Sequence, residues 1–317
     1  MGKTSTGKRE AARRQEIAAR RAAARRAQVR NRTLLAAGAI TAVVAIVLAF
    51  VLVKASSKPA AAPRADGPSG AALASVVRDL TSVPASVLDT VRAGSLSGDG
   101  IGSAGTSGSG YLAPVTGPPL TSGGKPQVLY LGADFCPYCA AIRWPLIVAL
   151  SRFGTFSGLR TTRSATANGA GQHEPYPATP TWTFYGSRYT SRYLAFTPVE
   201  LQTNIPDPKT GGYTGLQALT AAQQELMARY DSPGSIPFID IGNAYVQMSS
   251  LAPYGPQDLQ HLTWSQIAAA LHDPSSALAK SIGGSANYLT AAICKLTGNQ
   301  PASACTPAVQ TLESRLG

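Results

Sequence analysis

The stretch that decides the fold is QVLYLGADFCPYCAAIRWPLIVALSRFG, residues 127–154. Gln127 to Ala133 is a short apolar run that predicts a strand, entered through the Gly123-Gly124 turn. From Pro137 to Phe153 the positions Ile142, Leu146, Ile147, Leu150 and Phe153 keep the three- and four-residue rhythm of a helix, closed by Gly154. Cys136-Pro137-Tyr138-Cys139 stands where strand meets helix. A sulfur at a helix N-terminus faces unpaired N–H groups and the positive end of the dipole, which lowers its pKa and makes it nucleophilic. Pro137 suits the first helical position, where its missing N–H would be an orphan anyway. Cys139, one turn on, lies on the same side and is placed to attack a mixed disulfide. Cys136 is therefore the expected nucleophile and Cys139 the resolving thiol.

A second signal lies downstream, in Ser235-Ile236-Pro237-Phe238. Proline at the start of a central strand removes a ladder donor. It makes sense if the Ile236–Pro237 bond is cis and this backbone edge faces the sulfurs. Pair and Ile-Pro strand in this order point to a thioredoxin-like fold. Pro237 would then hold the substrate backbone, with Ile236, Pro137 and Tyr138 as substrate contacts. Two other readings of the pair stay open, a structural disulfide and half of a zinc site. Zinc would want a second close pair, but Cys294 and Cys305 have ten residues between them and lack His partners. His173, His261 and His272 form no i,i+4 pair, and no nucleophile elbow is present, so neither a metal nor a cofactor is expected. Cys294 and Cys305 read as a loop-closing bridge, with a relay of electrons to the first pair as the alternative.

Outward from this core, the aromatic-rich residues 182–185 and 193–196 read as two strands of a hairpin, inserted together with a helix over 219–230 that Thr220 caps. PFIDI, residues 237–241, is a strand, with Asn243 turning into 244–248. Thr263 caps a helix to Leu271, and 276–296 is largely helical. Upstream, 73–92 predicts two short amphipathic helices broken near Pro84. Residues 94–110 (GSLSGDGIGSAGTSGSG) include Gly100, Gly102 and Gly105 at the spacing of a dinucleotide-binding turn. That motif needs a strand before it and a helix after it, so this stretch reads as a flexible loop. Trp144 and Trp182 read as packing residues.

Charge divides the chain unevenly. The first 33 residues hold eleven Lys/Arg against Glu10 and Glu16, nine of the net charge of +12. Residues 34–53, from Leu34 to Val53 (LLAAGAITAVVAIVLAFVLV), are uncharged and long enough to cross a bilayer. The basic flank places the N-terminus in the cytoplasm and the rest outside. A cleaved signal peptide is the rival, but its apolar region usually spans roughly 7–15 residues, so an uncleaved anchor is expected. The tail reads as a topology determinant. Having no aromatic residue to stack a base, it suggests no nucleic-acid partner. Hydrophobic residues make up 44% of the chain, which excludes a wholly disordered protein, and four cysteines exclude a disulfide-dense miniprotein.

VLYLGADFCPYCAAIRWPLIVALSRFGTF, PTWTFYGSRYTSRYLAF, IPFIDIGNAY and the late SANYLTAAICKLTG with Cys305 resemble a family of membrane-anchored thioredoxin-like proteins. It is known as domain of unknown function 929 and is best represented in high-GC Gram-positive bacteria. The resemblance covers most of 73–317 and implies a thioredoxin-like fold outside the membrane, without implying a reaction. Many thioredoxin relatives carry a buried acid six residues before the first Cys, where this chain has Tyr130. Asp134 is the substitute candidate, or more simply a solvated turn residue.

The expected architecture is α/β, a thioredoxin-like mixed sheet flanked by helices with insertions and preceded by one transmembrane helix. Its parts are a basic tail (1–33), a membrane helix (34–53), a linker (54–72), a helical and Gly/Ser-rich extension (73–124) and the extracytoplasmic domain (125–317). The expected activity is thiol–disulfide exchange with an envelope protein bearing a disulfide or thiol. The rival is a non-enzymatic envelope binding or scaffolding module in which 136–139 is a fixed bridge.

Overall fold

The computed structural model describes residues 66–96, 111–231, 234–248 and 254–316. The expected tail, the apolar stretch 34–53, most of the linker and most of the Gly/Ser run lie outside the described residues. Among those described, no single helix is long and apolar enough to cross a membrane.

The elements, in chain order, begin with α1 (Gly70–Thr81), α2 (Ala85–Val91), β1 (Ala113–Pro114), β2 (Thr121–Ser122), β3 (Lys125–Gly132) and α3 (Pro137–Ser151). There follow β4 (Gly154–Ser157), β5 (Arg160–Arg163), β6 (Pro180–Thr183), β7 (Arg188–Ser191), β8 (Ala195–Glu200), β9 (Gln202–Pro206) and β10 (Tyr213–Gly215). The chain ends with α4 (Ala221–Tyr230), β11 (Phe238–Ile241), β12 (Tyr245–Met248), α5 (Trp264–Ala270), α6 (Gly284–Leu296) and α7 (Pro307–Glu313). A π-helical turn, Ala279–Gly283, leads into α6.

β3 is the axis of a mixed sheet. It runs parallel to β8, with Gln127 opposite Ala195 and Gly132 opposite Glu200. On its other side it runs antiparallel to β11, with Phe238 opposite Leu131 and Ile241 opposite Val128. β12 and then the short β1 continue the sheet antiparallel, giving the order β8-β3-β11-β12-β1. A parallel pair cannot be joined by a hairpin and needs a crossover, part of which α3 supplies. Gly123 (φ 57°) and Gly124 (φ 73°) make the tight turn between β2 and β3, a conformation most side chains avoid.

The two-residue period of a strand sends alternate β3 side chains to opposite faces. Val128 and Tyr130 join the larger core, with α1, α3, α5 and α6. Leu129 and Leu131 join a smaller one with Val199, Phe238, Val246 and Met227 of α4. Helices therefore cover both faces. Residues 73–96, expected as part of an extension, contribute Val76, Leu80 and Leu88 to the larger core, 113–114 form the sheet's edge, and α1 already begins at Gly70, inside the stretch expected as linker.

Nearly every residue of α3 is buried, as befits a helix packed on all sides. Pro145 inside it removes the N–H that would bond the Ala141 carbonyl. The buried Tyr254 hydroxyl donates to that carbonyl instead, and Thr181 Oγ1 donates to the Ala140 carbonyl at 2.9 Å. The predicted caps Thr220 and Thr263 both form reciprocal capping boxes, with Gln223 and Gln266.

The expected hairpin of 182–185 with 193–196 does not form. β6 pairs with β5, β7 with β4, and β8 joins the central sheet. Aromatic composition marks a strand without naming its partner, and both partners here come from earlier in the chain. Trp144 and Trp182 are fully buried and meet edge to face at 5.5 Å.

Candidate functional site

Cys136 caps α3. Its Sγ accepts a hydrogen bond from the Cys139 N–H at 3.3 Å, with Pro137 buried in the first turn. Its thiol also lies 3.9 Å from the Ile236 carbonyl oxygen, across from the start of β11. Ile236 is half-buried, Pro237 is buried, and the bond between them is cis. The structure thus brings together Cys136, Cys139, Pro137, Ile236 and Pro237, from two segments a hundred residues apart. Tyr138 points outward and is 40% exposed.

The two sulfurs are free thiols with opposite character. Cys136 retains 6% of its surface, whereas Cys139 has none. The Cys136 pKa is held below the ordinary thiol value chiefly by a hydrogen bond from the Cys139 side chain. The Cys139 N–H and the Arg143 charge help, against the opposing effect of burial. Burial pushes the Cys139 thiol well up, and its neighbour's hydrogen bond and charge add to that.

Beneath the pair sits a charge cluster that sequence reasoning missed. Arg143, one turn after Cys139, is fully buried and forks onto Glu200 of β8, with Nε to Oε1 at 3.1 Å and Nη2 to Oε2 at 2.7 Å. The same Nη2 is 3.5 Å from Asp134 Oδ1, and Thr183 Oγ1 donates to Asp134 Oδ2 at 3.2 Å. Asp134 is therefore not a solvated turn residue; it is completely buried, its backbone N–H tied to the Gln202 carbonyl. Burial first and the Glu200 charge second push its pKa up to about 8. The available signal was Arg143 itself, the lone charge in an otherwise apolar helix, which has to find partners inside. Tyr130 lies against this cluster, its ring 5.7 Å from the Arg143 guanidinium and its buried hydroxyl without a hydrogen-bond partner.

Around the sulfurs stand aromatic rings from outside the central sheet. Phe135 stacks on Tyr213 of β10 at 4.1 Å, and Tyr138 meets Tyr176 edge to face at 6.0 Å. The Tyr213 hydroxyl donates to Glu174. Among the described residues no group of His, Cys, Asp and Glu is arranged to hold a metal ion.

Cys294 and Cys305 are bonded to each other, joining the end of α6 to the loop before α7. Arg152, just past α3, donates to the Ala304 carbonyl at 2.7 Å and to Asn287 Oδ1 at 3.1 Å, which ties the bridged loop to that helix. Replacing both cysteines by Ser is expected to cost about 2–4 kcal/mol. A thermal melt should then show Tm lower by roughly 5–15 °C, with alkylation of Cys136 unchanged. A folded double variant whose Cys136 no longer reacts would assign the bridge a part in the chemistry.

No curated protein and no solved structure matches the chain. One family model does: the domain of unknown function 929 matches residues 111–295, more than half of the sequence, and the chain belongs to that family.

Proposed function

We propose that this protein is a membrane-anchored, extracytoplasmic thiol–disulfide oxidoreductase with a thioredoxin-like fold. The observation that carries the reading is the asymmetry of the pair: a helix-capping Cys136 with a lowered pKa beside a buried Cys139 with a raised one. The topology supports the fold. The features that support it are a parallel β3–β8 pair with α3 in its crossover, an antiparallel β11-β12 hairpin entered through Ile236–Pro237, and a following helix α6. The uncharged run 34–53 and its basic flank support the anchor and the outward orientation. The partner is an envelope protein with a disulfide or a thiol pair.

The chemistry balances as two exchanges. The Cys136 thiolate attacks one sulfur of a substrate disulfide, forming a mixed disulfide and expelling the other sulfur as thiolate. Cys139 gives up its proton and attacks Cys136 Sγ, closing the 136–139 disulfide and releasing the second substrate thiol. Two electrons pass to the substrate, and the reverse sequence oxidises a dithiol. Which direction prevails depends on the potential of the pair.

The test is that potential, measured on the full chain in detergent by equilibration in glutathione and dithiothreitol buffers, with alkylation and mass as readout. A value near about −120 to −180 mV assigns an oxidant or isomerase, and one near about −270 mV a reductant. A pair that stays oxidised far below about −300 mV is a structural bridge, and the enzyme reading falls.

A further inference from the structure

The segments that carry Tyr176 and Tyr213 are fastened to each other and to the cysteine turn. Residues 164–178 attach to the turn through the Ala165 N–H, which donates to the Phe135 carbonyl at 2.9 Å. The β9–β10 hairpin attaches through the Gln202 carbonyl, which accepts from the Asp134 N–H at 2.9 Å. Where the two segments meet, Gly169 and Ala170 donate to the carbonyls of Gly212 and Gly211 at 2.8 and 3.1 Å. Gly169 is required for this approach, because a Cβ there would collide with the Asp207 carbonyl. The result is a braced rim beside Cys136.

That rim has a chemistry. Tyr138 is the large hydrophobic side chain left exposed among the described residues, and it sits between the two cysteines. Its ring and that of Tyr176 stand edge to face, and Phe135 is backed by Tyr213. Rings so arranged present apolar faces and edges suited to another aromatic or large aliphatic side chain. The carboxylate fixed there is Glu174, which disfavours a small acidic disulfide such as glutathione. Two of the cavities, one lined by Val91, Arg92 and Arg315 and one by Leu120, Leu226 and Arg229, do not include Cys136.

Resting on the exchange reading above, we infer that the substrate is an extended polypeptide segment with an aromatic or large apolar residue next to its disulfide-bonded cysteine. Its side chain seats on the Tyr138 and Tyr176 rings and on Phe135, which the buried Tyr213 backs, while the disulfide reaches Cys136.

The test uses the reduced full chain and two synthetic peptide disulfides that differ only in Phe or Ser beside the cysteine, with oxidised glutathione as a third probe. Rates of release of the free peptide or glutathione thiol are read by mass and normalised to iodoacetamide alkylation of Cys136. The Phe peptide is expected to react about tenfold faster than the Ser peptide, one well-packed aromatic contact being of that order, with glutathione slowest. Tyr176→Ser brings the Phe/Ser ratio to within about twofold. Gly169→Val, which spreads the rim without removing a ring, lowers the ratio as well. Equal rates for the two peptides, glutathione as the fastest probe, or an unchanged ratio in Tyr176→Ser overturns the inference and leaves the exchange reading standing. Failure of all three probes to react removes both.

Discussion

Cys136→Ser is expected to lower the proposed disulfide exchange by on the order of a thousandfold or more, because a serine hydroxyl is not ionised at any accessible pH and a thiolate is what attacks. Cys139→Ser behaves differently. The first attack is retained, the resolving step is lost, and the mixed disulfide with substrate persists and is found by mass. The two sulfurs also separate by pH. Thiolate forms as pH rises through a thiol's pKa, and that of Cys136 lies below the ordinary value while that of Cys139 lies well above it. Alkylation of the reduced protein therefore labels Cys136 alone, with a midpoint lower than that of an ordinary thiol. The leading cause of the lowered value is the Cys139 side-chain hydrogen bond. A Ser hydroxyl can donate in its place and a methyl cannot, so Cys139→Ala moves the midpoint up and Cys139→Ser moves it less. Identical profiles for the two variants would show that the hydrogen bond does not set the pKa, and that the helix terminus and Arg143 must.

What could be read beforehand was local. Proline at the first helical position behind a cysteine cap is a single-turn arrangement, and so are the Thr220 and Thr263 caps. The Ile236–Pro237 edge was legible because proline is out of place in a central strand. Non-local pairing was not legible. β8 shares its aromatic and β-branched composition with β6 and β7, yet it alone runs parallel to β3, 68 positions away at Gln127 and Ala195. Asp134 follows the same logic: two residues before a helix cap it reads as a turn carboxylate, and what encloses it, Thr183 and the Gln202 carbonyl among others, comes from distant segments. The Tyr176 and Tyr213 rings had no periodicity to betray them, since they sit on a loop and a three-residue strand whose mutual bracing runs through backbone atoms.

The other large effect is expected at Arg143. Arg143→Met leaves Asp134 and Glu200 buried without their cation, and breaking one side of a fully buried ion cluster costs about 3–5 kcal/mol. On the scale of roughly 2–4 °C per kcal/mol for a domain of this size, Tm falls by roughly 6–20 °C. The double variant Arg143→Met with Glu200→Met recovers much of that loss, because it removes a charge together with its partner; a double variant no better than the single would show that shape rather than charge matters at this position. Asp134 supplies the pH dependence. Its pKa in the folded protein is raised from 3.8 to about 8, so folding favours its protonated form. Its contribution to stability is complete below pH about 4 and is lost as pH rises through about 8. Asp134→Asn has no proton to lose, so its stability relative to the parent chain rises between pH 5 and pH 8.5 in denaturant titrations. A parent-to-variant difference that stays flat over that interval would mean that Asp134 is already ionised at pH 5. In that case Arg143 holds two carboxylates at once, and its charge is too fully engaged to lower the pKa of Cys136.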